Sequence, residues 1–162
     1  MPDLPLLERR RLEAAVLIPV IRAMQAEFGE ERVNQVVGAA IRDIARAQGE
    51  KLREHSRIES IPQLAAQMVD GPGPLSEGSL TVEVVQRDET HFGFNVSRCK
   101  FVEMYEEMGA RDLGFLLSCG RDFAMFEGMA PDVTFERTQT RMQGAPFCDF
   151  RYRTRDSESA PA

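Results

Sequence analysis

Tryptophan is absent from this chain of 162 residues, histidine is down to two and cysteine to three. The three thiols, Cys99, Cys119 and Cys148, lie 20 and 29 residues apart and lack the short chelating pairs of common zinc modules. An odd, widely spaced set also makes no disulfide framework, and a chain of this size needs none to supplement its core. Free thiols in a reducing compartment are the expectation. No apolar stretch is long enough to be a membrane helix, since the longest, Ala14 to Ile21, has eight residues where about 20 are needed. Arg9, Arg10 and Arg11 imitate the start of a secretory signal, but Glu13 interrupts the approach and no small-x-small cleavage site follows. The expected location is the cytoplasm. Cationic excess is missing too: 20 Lys+Arg stand against 26 Asp+Glu, a net charge of −6, which disfavours nucleic acid as a partner because such binding rests on neutralising phosphates. What is present is 43% hydrophobic content, enough for one globular domain over residues 1–155, with the polar tail 156–162 expected to fray.

Periodicity divides the chain into a helical half and a mixed half. Leu12, Val16, Val20, Met24 and Phe28 recur every four residues and predict a helix from about Leu6 to Phe28 with one apolar stripe. Pro19 should kink it or split it in two. A second stripe, Val33, Val37, Ala40, Ile41 and Ile44, predicts a helix from about Glu30 to Glu54, so that the two form a hairpin through Gly29. A shorter third helix is expected over Ile61 to Val69, before a hinge loop at Asp70-Gly71-Pro72-Gly73-Pro74. The helical lead-in therefore covers residues 6–69. Leu80, Val82 and Val84, the turn Arg87-Asp88-Glu89, and Phe92, Phe94 and Val96 then predict a β-hairpin with one buried face. From Arg98 to about Cys119 the period is helical again, with Gly109 as a stop between two short helices. A second hairpin is expected from Val133 to Met142 and Phe147 to Arg153, closed through Gln143-Gly144-Ala145-Pro146. The order ααα-ββ-αα-ββ is an α+β layout: an N-terminal helical hairpin, then two β-hairpins over residues 80–153 forming an antiparallel sheet packed against helices.

The second half holds the residues with chemistry. Cys99 and Glu103, four apart, share one helical face. If that face looks into a cavity, Glu103 can act as a base or hold a water, and Cys99 can be a nucleophile or metal ligand. The plainer alternative is a small buried thiol beside a surface carboxylate. Cys119 and Asp122, three apart, repeat the arrangement if the helix persists through Gly120; otherwise Asp122 caps a helix over Phe123 to Glu127. In the last hairpin Val133, Phe135 and Arg137 share one face, and Thr138, Thr140 and Met142 the other. On the returning strand Cys148, Phe150 and Tyr152 oppose Phe147 and Asp149, and the turn register decides whether Thr140 faces Cys148. Arg137 beside buried aromatics requires a partner, either Asp149 or a bound anion such as a substrate carboxylate, because an unpaired buried guanidinium is costly. The thiols with His91, Glu103 or Asp122 offer zinc as the lesser reading, and no metal ligand is assigned. His55 and His91 read as surface histidines.

The run Arg137-Thr138-Gln139-Thr140, Gly144 and Cys148-Asp149-Phe150-Arg151-Tyr152 resembles the closing signature of the L-2-amino-thiazoline-4-carboxylic acid hydrolase family. Arg98-Cys99, Gly109, Leu113 and Cys119-x-x-Asp122 fall in that family's order, so the resemblance covers roughly Leu80 to Arg153. Gly144-x-x-x-Cys148-x-Phe150 also resembles the 4-vinyl reductase domain, a small-molecule-binding module related in layout to vesicle-tethering subunits. The single Cys of the last hairpin departs from the zinc site suspected in that module. The hydrolase resemblance implies opening of a cyclic amidine by water to give N-carbamoyl-L-cysteine. It implies an acid to polarise the amidine, Glu103 or Asp122, and a base for the water, the other carboxylate or a thiolate. It further implies a seat for the substrate carboxylate at Arg98 or Arg137, or direct attack by Cys99 or Cys119. Cys148, Thr138, Thr140 and Asp149 complete the expected site. Two other classes stay open: a noncatalytic ligand-binding or sensory module, and an oligomeric scaffold of the tethering type with a large exposed apolar helical face. The expected partner is a small molecule, with a homodimer kept open.

Overall fold

The structure, a computed structural model, describes residues 4–56, 58–71, 75 and 78–155. Helices α1 (Leu6–Phe28) and α2 (Glu30–His55) turn on Gly29, whose φ of 87° suits a residue without a side chain. Pro19 lies inside α1 without ending it, so the chain does not split into two helices there. The four-residue stripe, however, is not the core. Val16 is 67% exposed, and Leu12, Val20 and Phe28 are exposed as well, while Arg10, Ala14 and Ile21 are buried and Leu7, Leu17 and Met24 pack beside them. Four residues turn a helix about 40° past a full circle, so a strict four-step stripe winds off the packed side, whereas the alternating three-and-four spacing of Leu7, Arg10, Ala14, Leu17, Ile21 and Met24 stays on it. In α2 the same drift carries Ala40 and Ile44 to solvent and leaves Val33, Ile41 and Ala45 inside.

A third helix, α3 (Ile61–Ala65), starts at Ser60, whose hydroxyl accepts the Gln63 N–H at 3.3 Å, and continues as a π-helical turn over Ala66–Asp70. Of the expected hinge, Pro72, Gly73 and Pro74 lie outside the described residues, as does the tail 156–162. Strands β1 (Leu80–Arg87), β2 (His91–Cys99), β3 (Val133–Glu136) and β4 (Cys148–Thr154) form one antiparallel sheet in the order β1-β2-β4-β3. Phe92, Phe94 and Val96 stand opposite Tyr152, Phe150 and Cys148 on the covered face. The other face is polar, with Arg151 donating to Asn95 Oδ1 at 2.8 Å. Between the hairpins run α4 (Lys100–Glu107), α5 (Arg111–Leu117), a 3-10 turn at Cys119–Arg121 and α6 (Asp122–Met129). The architecture is α+β as expected, with one more helix before the second hairpin.

Two boundaries differ from expectation and matter for chemistry. Cys99 ends β2 and is not helical, so its spacing to Glu103 does not put the two side chains on one face. Strand β3 stops at Glu136 instead of Met142, and residues 137–147 form a loop with a 3-10 turn at Arg141–Gln143. The cause is Asp149, whose carboxylate accepts the backbone N–H groups of Thr138 and Gln139 at 3.0 and 2.9 Å and so takes donors that a longer ladder would use.

The core has two clusters: one among α1, α2, α4 and α5, the other between the sheet, α3 and α6, with Cys99 packed against both. Helices α2 and α6 meet backbone to backbone. A Cβ on Gly49 would lie 2.1 Å from the Met125 carbonyl oxygen, and one on Gly128 2.3 Å from that of Arg46. Among the described residues no helix is long and apolar enough to cross a membrane. The orientation of α1 is open to test by truncation. Ile21→Ala, at a site 1% exposed, should cost about 2–4 kcal/mol, and Val16→Ala no more than about 0.5, both read from denaturant midpoints. Equal losses at the two positions would overturn the register described here.

Candidate active site

Arg137 follows directly on β3 and points into the interior, where only 2% of its side chain is exposed. Its guanidinium donates to Asp122 Oδ2 at 2.5 Å and to the Cys119 carbonyl at 2.9 Å. Phe123, Phe135 and Phe150 surround it, with its central carbon 5.3, 5.9 and 5.1 Å from their ring centres. The need for a partner was correctly expected. The partner is Asp122, not Asp149. Asp122 opens α6, and 34% of its side chain remains in contact with solvent, so the pair has a sealed cationic half and a reachable anionic half. Burial raises the Asp122 carboxyl above its ordinary range, with the Arg137 charge and hydrogen bond pulling the other way.

The three thiols gather around this pair. Cys148 acts on Cys99, both Cys99 and Cys148 act on Cys119, and Cys119 and Cys148 feel both Asp122 and Arg137. Burial holds all three above the ordinary thiol range. In Cys99 it is opposed by the N–H groups of Val102 and Phe101, in Cys119 it is reinforced by Asp122, and in Cys148 it is opposed by the Arg141 N–H, which donates to Sγ at 3.2 Å. Neutral thiols are poor nucleophiles and poor metal ligands. Among the described residues no three His, Cys, Asp or Glu side chains are grouped as a metal site, so the residues do not fit the zinc reading.

Other expected members lie apart from this centre. Arg98 and Glu103 pair with each other on the outside, at 2.6 and 3.1 Å, and both are exposed. Thr138 donates its hydroxyl to Asp149 at 2.6 Å, which makes these two a loop clamp. Thr140 does not oppose Cys148 across a ladder, because the strand has ended; its hydroxyl caps the 3-10 turn by accepting the Gln143 N–H at 3.2 Å. For Asp149, burial pushes the carboxyl up, but the Thr138 and Gln139 hydrogen bonds outweigh it and the net direction is down.

Two buried polar atoms have no hydrogen-bond partner among the described residues: the Tyr152 hydroxyl and Arg121 Nε. Tyr152 is enclosed by Phe92, Phe94, Phe126 and Phe135, and burial pushes its hydroxyl well above the ordinary range, with the Asp122 charge adding to the effect. Arg121 sits in the 3-10 turn and donates to Gln48 of α2 at 2.5 Å. Both atoms border the Asp122 region, since the charge of Asp122 acts on each side chain.

The family model for L-2-amino-thiazoline-4-carboxylic acid hydrolase matches residues 9–152. The chain belongs to this family. No curated protein sequence matches it. Among solved structures, a trafficking protein particle complex subunit 3 from Naegleria fowleri, covalently bound to palmitic acid, is similar with a TM-score of 0.53 at 10% identity, over 91% of this chain and 95% of that one. The phenol-responsive sensory domain of the transcription activator PoxR, with phenol, gives a TM-score of 0.49 at 13% identity, over 92% of this chain and 82% of that one. The Naegleria fowleri likeness is one of fold alone, and it agrees with the layout shared by tethering subunits.

Within this hydrolase-family chain, the sequence reading passed over Arg121 and the hydroxyl of Tyr152. Arg121 stands between Cys119 and Asp122, inside a motif read only for its thiol and carboxylate. Tyr152 reads in the sequence as an aromatic of the strand face, and only packing reveals that its hydroxyl has no partner among the described residues.

Two measurements follow from the electrostatics. At pH 7 the native thiols should react with a disulfide reagent at least ten-fold more slowly than in guanidinium, where all three should titrate; one fast native equivalent would contradict their protonated state. The Asp149 clamp, with a lowered folded pKa, is in full force above the ordinary carboxyl range near pH 4 and is lost as the pH falls through that lower value. Asp149→Asn should therefore cost about 1–2 kcal/mol in urea unfolding at pH 7 and progressively less as the pH drops below about 4.

Proposed function

We propose that this chain hydrolyses a cyclic amidine, in the manner of conversion of L-2-amino-thiazoline-4-carboxylate to N-carbamoyl-L-cysteine, with Asp122 as the group that moves the proton. Family membership supports the reaction class. The observation that carries the assignment is the Asp122–Arg137 pair, since Asp122 is inward-facing, reachable and raised by burial above the ordinary carboxyl range, whereas Glu103 is spent on Arg98 at the surface. In the reaction the oxygen of water bonds to the carbon flanked by ring nitrogen, ring sulfur and exocyclic nitrogen. The carbon–sulfur bond breaks, one proton of the water ends on sulfur and the other on the former ring nitrogen, and the water oxygen becomes the urea carbonyl. A carboxyl held above its ordinary range by burial can serve both halves: protonated it polarises the amidine, ionised it takes a proton from water. Arg137 keeps its charge throughout and acts as a positioning residue for Asp122. Neutral Cys99, Cys119 and Cys148 favour attack by water over attack by thiolate.

A noncatalytic binding module is the second reading. It is favoured by the Tyr152 hydroxyl, which has no partner among the described residues and lies in an aromatic interior where a ligand could answer it. Incubation with the thiazoline carboxylate separates the two. Hydrolysis releases one thiol per N-carbamoyl-L-cysteine formed, Asp122→Asn should lower kcat at least about 100-fold, and Glu103→Gln should stay within about two-fold. Binding of the compound by folded protein with no thiol released would favour the module.

A further inference from the structure

Arg121 holds a buried positive charge with no ion-pair partner among the described residues. It is 5% exposed, one of its Nη2 hydrogens goes to Gln48 Oε1 at 2.5 Å, and its Nε–H has no acceptor among the described residues. Among the described residues no carboxylate lies at ion-pair distance from it: Glu13 is held by Arg10 at 2.5 Å and Asp122 by Arg137 at 2.5 Å. Arg10 is itself buried, and its charge acts on Arg121, as do those of Glu13 and Asp122. Three enclosed guanidiniums, of Arg10, Arg121 and Arg137, thus share two carboxylates. A guanidinium cannot shed its proton to escape such a place, and burying it unpaired is costly.

The arginines first expected to receive a substrate carboxylate are already occupied. Arg98 is committed to Glu103 on the outside, and Arg137 to Asp122, the Cys119 carbonyl and three rings. We propose that Arg121, steadied by Gln48, is the seat for the carboxylate of a small-molecule ligand, with the planar anion answering the unused Nε–H of the guanidinium fork. The identity of that ligand as the thiazoline carboxylate rests on the hydrolase reading; the carboxylate seat does not. Arg121 immediately precedes Asp122 in the chain, at the junction of the 3-10 turn and α6, so anchoring and proton transfer would be served by adjacent residues.

The test compares the thiazoline carboxylate with 2-amino-thiazoline, the same ring without the acid, on the full chain and on Arg121→Met. The expected result is a KM for the carboxylate raised at least ten-fold with kcat within about three-fold, and unchanged kcat/KM for the ring without the acid. Thermal stability should be unchanged or higher, because removing an unpaired buried charge relieves the fold; a purely structural arginine would lower it. Gln48→Leu leaves the guanidinium in place and loosens it, and should raise KM for the carboxylate alone. A preference for the carboxylate kept intact in Arg121→Met, or in Gln48→Leu should the first variant not fold, overturns the seat while leaving the hydrolase reading standing. If the parent protein turns over neither compound, calorimetry decides: carboxylate-dependent binding that is lost in these variants upholds the seat and removes the hydrolase reading, and equal binding of both rings or no binding removes the seat.

Discussion

A guanidinium that is always charged lies among three phenylalanine rings, and most of what surrounds it is a response to that charge. Arg137 requires an anion within hydrogen-bond reach, and Asp122 supplies it from the first turn of α6. That single pair ties the end of β3 to the start of α6. The Cys119 carbonyl, also bound to Arg137, ties in the turn before the helix. Sheet edge, turn and helix are thereby held in one arrangement at the place where the thiols, Tyr152 and Arg121 converge.

The interior around this pair is polar in an unequal way. Its sulfur atoms are kept protonated by burial, its carboxyl is raised above the ordinary range, and its arginines stay charged. Such a region favours binding of an anion and transfer of a proton over attack by a thiolate. That balance agrees with membership in a hydrolase family whose named substrate carries both an amidine and a carboxylate.

Much of this fold was legible in the order of residues. The ends of α1 and α2, the first hairpin and the α+β arrangement follow from where periodicity starts and stops and from Gly29 and Gly109. The buried side of α1 was not, because a four-step and a three-and-four pattern run along the same helix and only the second matches helical geometry over five turns. The demand of Arg137 for a partner was readable, yet the sequence offered Asp149 or a bound anion, and the partner is Asp122. The choice depended on β3 ending early, and that depended on a side chain eleven residues after Thr138 capturing its backbone. Arg121 and Tyr152 were illegible for a related reason: a missing hydrogen bond has no signature in composition or spacing.

The contact of Gly49 and Gly128 limits how a ligand could get in. Helices whose backbones already touch cannot slide or part without losing that seam, so α2 and α6 behave as a fixed wall. Asp122, the first residue of α6 and 34% exposed, and Phe123 beside it, more than a third exposed, stand at the end of that wall, so a ligand reaches the Asp122 region around the end of the seam and not through it.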